Sequence, residues 1–158
     1  MKWAVLVGGT GSNLEAMLKA GAPISLVVSH RAGVRALDIA AQYRVPAITV
    51  LPKDFASRTA YDDYLLRLLV DCGIDAVALA GFMRWMGSNI VEAYRGRLVN
   101  IHPSLLPAFA GLHAIEQAYD AGVFWTGVTV HFVDEGHDTG PIIAQSVVPR
   151  YAQDTVED

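Results

Sequence analysis

The sequence predicts an α/β fold, a mostly parallel sheet with helices on both faces, and three observations carry the prediction. Apolar runs recur along the chain with stretches of helical periodicity between them, the alternation that a parallel sheet and its crossover helices produce. The runs are largely continuous, as strands buried on both faces require. A hydrophobic content of 53% against 18% charged residues supplies the apolar surface to cover such a sheet. At 158 residues the chain can bury roughly 70% of its unfolded surface around one core.

The first run, residues 3–7, is read as the first strand; it stops at Gly8-Gly9, too soon for a signal-sequence core or a membrane span. Gly8-Gly9-Thr10-Gly11 turns the chain, and Ser12-Asn13-Leu14-Glu15 has capping-box spacing for a helix that stops at Gly21. Residues 24–28 give the second strand. Val34, Leu37, Ala40 and Ala41 recur at helical spacing, and a third strand follows Pro46 over residues 47–51. Tyr61, Tyr64, Leu65, Leu68 and Leu69 mark the apolar stripe of a helix over residues 57–72, closed by Gly73. Cys72, the single cysteine, has no intrachain partner and is expected to be a buried small side chain at the end of that stripe. Residues 75–80 return as a buried strand that opens into a loop at Gly81. Leu98 to His102 reads as a strand, residues 113–121 as a helix, and residues 123–133 and 141–148 as later strands with room for an antiparallel pair. Residues 153–158 read as a helix start, with Thr155 and Asp158 at capping-box spacing.

A formal charge of −4 and a pI near 5.7 argue against a general binder of nucleic acid, so any anion has to be met locally. One cysteine fits a reducing cytoplasm, and no apolar stretch suggests a membrane partner. The histidines His30, His113, His131 and His137 lack the short paired spacing of zinc sites, so no metal is expected. Strand alternation is expected to turn His131 outward, and His113 is expected to act as a local hydrogen-bond donor at a helix start.

Two segments carry chemistry. Gly9-Thr10-Gly11-Ser12-Asn13 can aim several backbone N–H groups at one anion, with the positive end of a helix behind them. It is neither a dinucleotide fingerprint, since Leu14 stands where the third glycine belongs, nor a P-loop with Gly-Lys-Ser/Thr. By spacing alone it is equally a tight turn. Asn100 and His102 leave the same face of one strand before Pro103 ends it, and Asp138 sits in a Gly-rich loop after another apolar run. An amide donor, an imidazole and a carboxylate suit acyl transfer, where an oxyanion develops and an attacking amine sheds a proton. Each residue taken singly is better read as structural, Asn100 and His102 as strand-end caps and Asp138 as an Asx-turn former.

Four segments in order, Gly11-Ser-Asn-Leu14, Ala80-Gly-Phe-Met-Arg84, Asn100-Ile-His-Pro-Ser-Leu-Leu-Pro107 and Gly127-Val-Thr-Val-His-Phe-Val-Asp-Glu-Gly-His-Asp-Thr-Gly-Pro141, resemble the phosphoribosylglycinamide formyltransferase family, folate-dependent enzymes of purine synthesis. The resemblance spans nearly the whole chain and implies the Rossmann-like formyltransferase fold. It implies Asn100, His102 and Asp138 as the catalytic trio, and Gly11, Ser12 and Asn13 as the holders of the substrate phosphate. It also implies that the folate is held around Met83, Arg84, Trp85 and Met86 and by the loop Asp134, Glu135, Gly136, His137 and Asp138, with Arg84 toward the carboxylate side of 10-formyltetrahydrofolate. Departures from the family occur at Thr10, Trp85, Ala110 and His137.

The expectation is therefore a cytoplasmic enzyme, a single formyltransferase domain over residues 1–158 whose family C-terminal helix is either lacking or lies beyond residue 158, which moves a formyl group from 10-formyltetrahydrofolate to glycinamide ribonucleotide. Its partners would be the ribonucleotide and the folate, with the protein a monomer or homodimer. The alternatives are a non-catalytic phosphate- or folate-binding module, formyl transfer to methionyl-tRNA, which calls for a basic extension, and formyltetrahydrofolate hydrolysis, which calls for an N-terminal regulatory domain.

Overall fold

The structure is a computed structural model that describes all 158 residues, and they fall into two compact units, Met1–Leu98 and Val99–Asp158. The first unit carries β1 (Trp3–Val7), α1 (Ser12–Lys19), β2 (Ile24–Ser29), α2 (Arg35–Gln42), β3 (Ala47–Thr49), α3 (Arg58–Asp71), β4 (Ala76–Ala80) and α4 (Ser88–Ala93). Its strands lie in the order β3-β2-β1-β4 and all pair parallel. The continuous apolar runs explain their place: Ala4, Val5, Leu6 and Val7 are all 0% exposed, and β4 is buried at every residue.

Right-handed crossovers through α1 and α2 step from β1 to β3, and α3 steps back past β1 to β4, so α1 and α2 cover one face and α3 the other. The direction of travel reverses between β1 and β4. Open α/β sheets bind ligands at such a reversal, outside the strand carboxyl ends, and the loops that leave there are Gly8–Gly11 and Gly81–Gly87.

Several local expectations change. Gly11, not Ser12, is the N-cap of α1: it sits at φ 75°, and no side-chain cap bond forms, so the capping box is not made. A Cβ on Gly11 would stand 2.7 Å from Ala36 Cα, so close approach of α2 fixes glycine there. The buried stripe of α2 is Ala36, Ile39 and Ala40 rather than one including Ala41, which is exposed. On α3 the N-cap Ser57 accepts from Ala60 N–H at 3.0 Å; Tyr61, Leu65 and Leu69 are buried as expected, while Tyr64 remains 46% exposed. Cys72 is exposed as the C-cap of α3, where the last turn has already left the core. Helix α4 was not foreshadowed by periodicity, because six residues are too few to show one.

The second unit contains all but the first residue of β5 (Leu98–His102), together with α5 (Ala114–Asp120), β6 (Trp125–Phe132) and β7 (Ile142–Pro149). β5 pairs with β6 and β6 with β7, both antiparallel. Along β6 the buried positions are Gly127, Thr129 and His131, so the inward face of this strand is the polar one. In the tail, Thr155 N–H and Oγ1 both donate to Asp158 Oδ2, at 2.7 and 3.0 Å, which builds half of the expected capping box around a turn.

Candidate active site

The antiparallel register places Asn100 opposite His131 and His102 opposite Thr129. Directly opposed residues share a face, so two polar residues from each strand form one polar patch on the β5–β6 pair. His102, Thr129 and His131 are 5%, 0% and 2% exposed, and burial of that kind requires internal partners.

A carboxylate stands beside both rings. Asp138 Oδ1 lies 3.5 Å from His102 Nδ1 and 3.7 Å from His131 Nε2, while its Oδ2 accepts from Gly111 N–H at 2.9 Å. Asp138 takes a left-handed conformation, φ 54°, that turns its carboxylate toward both rings. Asp138 makes no Asx-turn; that role falls to Asp134, whose Oδ1 accepts from Gly136 N–H at 2.9 Å and from Thr139 Oγ1 at 2.8 Å. These bonds, the Thr139 hydroxyl first, hold the Asp134 carboxyl below its ordinary range.

His131 is the residue that sequence reasoning misplaced. Instead of turning outward it sits between Asn100 and Asp138. Its Nδ1 is 2.8 Å from the Phe132 carbonyl, which can only accept, so the ring proton is on Nδ1 and Nε2 is left as an acceptor. Asn100 Nδ2 lies 3.4 Å from that Nε2 and donates to it, which orients the amide with its second N–H free. The signal that could have found His131 is the matched polar pair, Asn-x-His on β5 and Thr-x-His on β6, legible once the two strands are paired in register.

In the first unit, the loop Gly8–Gly11 runs into α1, and Ser12 and Asn13 are exposed at its first turn, where backbone N–H groups lack helical partners. No side chain is within 4 Å of a Cβ built on Gly9, so the space above the loop is open. Arg35 Nη1 donates to the Thr10 carbonyl at 3.2 Å and Nη2 meets Glu15 at 3.4 Å, which puts a guanidinium beside the loop.

The loop after β4 is divided in its roles. Phe82 is buried, its ring edge-on to His30 at 4.8 Å, whereas Met83 and Trp85 are 72% and 47% exposed. Arg84 stacks its guanidinium over Tyr61 at 4.5 Å, and its Nε is buried without an acceptor. His30 donates from Nδ1 to the Val7 carbonyl, 3.1 Å away; burial, outweighing that bond, and the charges of Arg84 and Arg31 hold its proton affinity below the ordinary value. His113 is solvent-exposed at the start of α5 and meets Glu116 at 3.6 Å, an ion-pair contact rather than the expected hydrogen bond, and its side chain does not cap the helix.

Comparison with known proteins agrees with this arrangement. The whole chain, residues 1–158, matches the Formyl transferase family. It is 40% identical over 162 residues to a phosphoribosylglycinamide formyltransferase of Bacillus subtilis, covering 99% of this chain and 83% of that protein. It is 49% identical over 159 residues to the trifunctional purine biosynthetic protein adenosine-3 of Drosophila melanogaster, of which it spans 12%. Among solved structures, phosphoribosylglycinamide formyltransferase from Bacillus halodurans superposes with a TM-score of 0.93 at 45% identity, over 99% of this chain and 84% of that one. Glycinamide ribonucleotide transformylase 1 from Symbiobacterium toebii superposes with a TM-score of 0.95 at 44% identity, over 100% of this chain and 77% of that one. The fold is thus the mostly parallel, Rossmann-like one the sequence implied, and the chain belongs to the formyl transferase family, with phosphoribosylglycinamide formyltransferases among its relatives.

Proposed function

We propose that this chain transfers the formyl group of 10-formyltetrahydrofolate to the amine of glycinamide ribonucleotide, with Asn100, His102 and Asp138 as the catalytic residues. The observation that carries the reading is the convergence of Asp138 on His102 at 3.5 Å beside an Asn100 amide held with one N–H free. The amine nitrogen attacks the formyl carbon, and the resulting tetrahedral carbon bears an oxyanion. Asn100 Nδ2 and a protonated His102 Nδ1 donate to that oxygen, and Asp138 receives the proton that the amine sheds. The bond from the formyl carbon to N10 then breaks, N10 takes the proton that Asp138 received, and formamide and tetrahydrofolate leave.

The substrate phosphate is assigned to the backbone N–H groups of Gly11, Ser12 and Asn13, an assignment supported by the open space over the loop and the helix start behind it. The folate is assigned to Met83, Arg84, Trp85 and Met86 and to Asp134–Asp138. Arg84, its guanidinium steadied on the Tyr61 ring, is the cation assigned to a folate carboxylate. The reading needs no metal and no nucleic acid. It places the protein in the cytoplasm as a monomer or homodimer, and no helix is long and apolar enough to cross a membrane.

The test is an assay with both substrates that follows formamide and tetrahydrofolate together. One-to-one formation supports transfer. Release of formate without ribonucleotide would make the chain a hydrolase, and binding of folate without turnover would make it a binding module.

A further inference from the structure

The segment Pro103–Gly111 holds both ionisable members of the trio through its backbone. The Phe109 carbonyl lies 2.9 Å from His102 Nε2, and Gly111 N–H donates to Asp138. A carbonyl has no proton to give, so the first contact requires the His102 proton on Nε2. Nδ1 is then the ring nitrogen that faces Asp138 and is left to gain or deliver a proton.

The segment is itself fastened by polar groups that the transfer chemistry does not use. Thr129, fully buried opposite His102, accepts at Oγ1 from Leu106 N–H at 3.0 Å and donates to the Ser104 carbonyl at 2.7 Å. Gln145 on β7 donates through Nε2 to the Leu106 carbonyl and to the same Thr129 Oγ1, each at 3.0 Å. One donor and two acceptor sites are all that a hydroxyl has, so Thr129 Oγ1 is saturated and its rotamer is dictated. Ser104 Oγ, also fully buried, donates to the Ala108 carbonyl at 2.5 Å, next to Phe109. Leu105 lies over Gly127, where an added Cβ would come 2.8 Å from Leu105 Cδ2.

We propose that Thr129 and Gln145 are positioning residues: they fix the Pro103–Gly111 segment so that the Phe109 carbonyl locks His102 in its Nε2–H form and makes Nδ1 the working nitrogen. The kinetic consequence rests on the formyl-transfer reading; the state of the ring does not. Gln145 is two strands away from His102 and touches neither reacting atom, so its effect on catalysis has to pass through the segment.

The experiment is nitrogen-15 NMR of histidine-labelled protein, which reports which ring nitrogen carries the proton, alongside steady-state kinetics. In the unsubstituted chain, His102 is expected to carry a proton on Nε2. Gln145→Met and Thr129→Val should mix the two ring forms and lower kcat by up to about a hundredfold, with both KM values nearly unchanged, because misplacement rather than binding is at stake. Thr129→Ser keeps the hydroxyl and should restore the ring form and most of the rate. Gln145 lies on an exposed strand, so its replacement tests the idea even if Thr129→Val fails to fold. A His102 ring that carries its proton on Nδ1 and none on Nε2 in the unsubstituted chain, or an unchanged ring form in folded Gln145→Met, overturns the proposal. Mixed ring forms in a chain whose parent shows no formyl transfer would sustain the positioning role while sinking the activity.

Discussion

The glycine loop between β1 and α1 and the polar patch of β5 and β6 are two proposed sites built on opposite principles. At Gly8–Asn13 the binding groups are backbone N–H donors, and the sequence contributes mainly by leaving side chains out. At Asn100, His102, His131 and Asp138 the working groups are side chains, and each is aimed by a partner: His131 aims Asn100, Phe109 aims His102, and Gly111 aims Asp138. The first kind of site tolerates changes of side-chain identity but not of backbone shape. The second reverses those tolerances.

Substitutions sharpen the contrast, most strongly at the patch. His102→Ala and Asp138→Asn should each lower turnover by about 10² to 10⁴, and Asn100→Ala by about 10² to 10³, with little change in ribonucleotide binding. Steady-state kinetics with both substrates checks this, and unchanged turnover in His102→Ala would remove the trio from the mechanism.

Two glycines of the loop are expected to separate. Gly11→Ala meets both a positive φ and the backbone of Ala36, so it should destabilise the fold by about 1–3 kcal/mol in chemical denaturation. Gly9→Val enters open space, leaves stability nearly unchanged, and should raise the ribonucleotide KM far more than the folate KM by blocking approach to the backbone. Equal shifts in the two KM values would mean that the loop is only a turn.

The smallest effect concerns His30, packed between the β1–α1 loop and Phe82. Burial lowers its proton affinity in the folded state, so the unfolded chain binds the proton more readily. The stability that His30 contributes is therefore present above the ordinary histidine value of about 6.5 and is lost as pH falls through the lower, folded-state value. Denaturation midpoints measured across that window should decline with acid in the parent and decline less in His30→Gln.

Much of the first unit was legible because its signals are local. Continuous apolar runs mark β1 and β4, Ser57 and Gly73 bracket α3, and the glycines of the β1–α1 loop announce a tight approach. Where that reading slipped, the cause was an orientation: Tyr64 lies at the edge of its helical stripe, Ala41 one position beyond it, and Cys72 past the last covered turn. Six-residue α4 carried too little periodicity to be seen at all.

By itself the sequence determined the alternation of strands and helices, the glycine loop and the chemical types of the trio, since each depends on residues a few positions apart. Tertiary structure alone decided that His131 joins the site, because only the antiparallel register brings it opposite Asn100. It also decided which nitrogen of His102 faces Asp138, because that choice belongs to a carbonyl seven residues away, at Phe109, held in place from β6 and β7. Hydrogen bonds between strands carry no periodic trace in the chain, and their geometry exists only after the strands have paired.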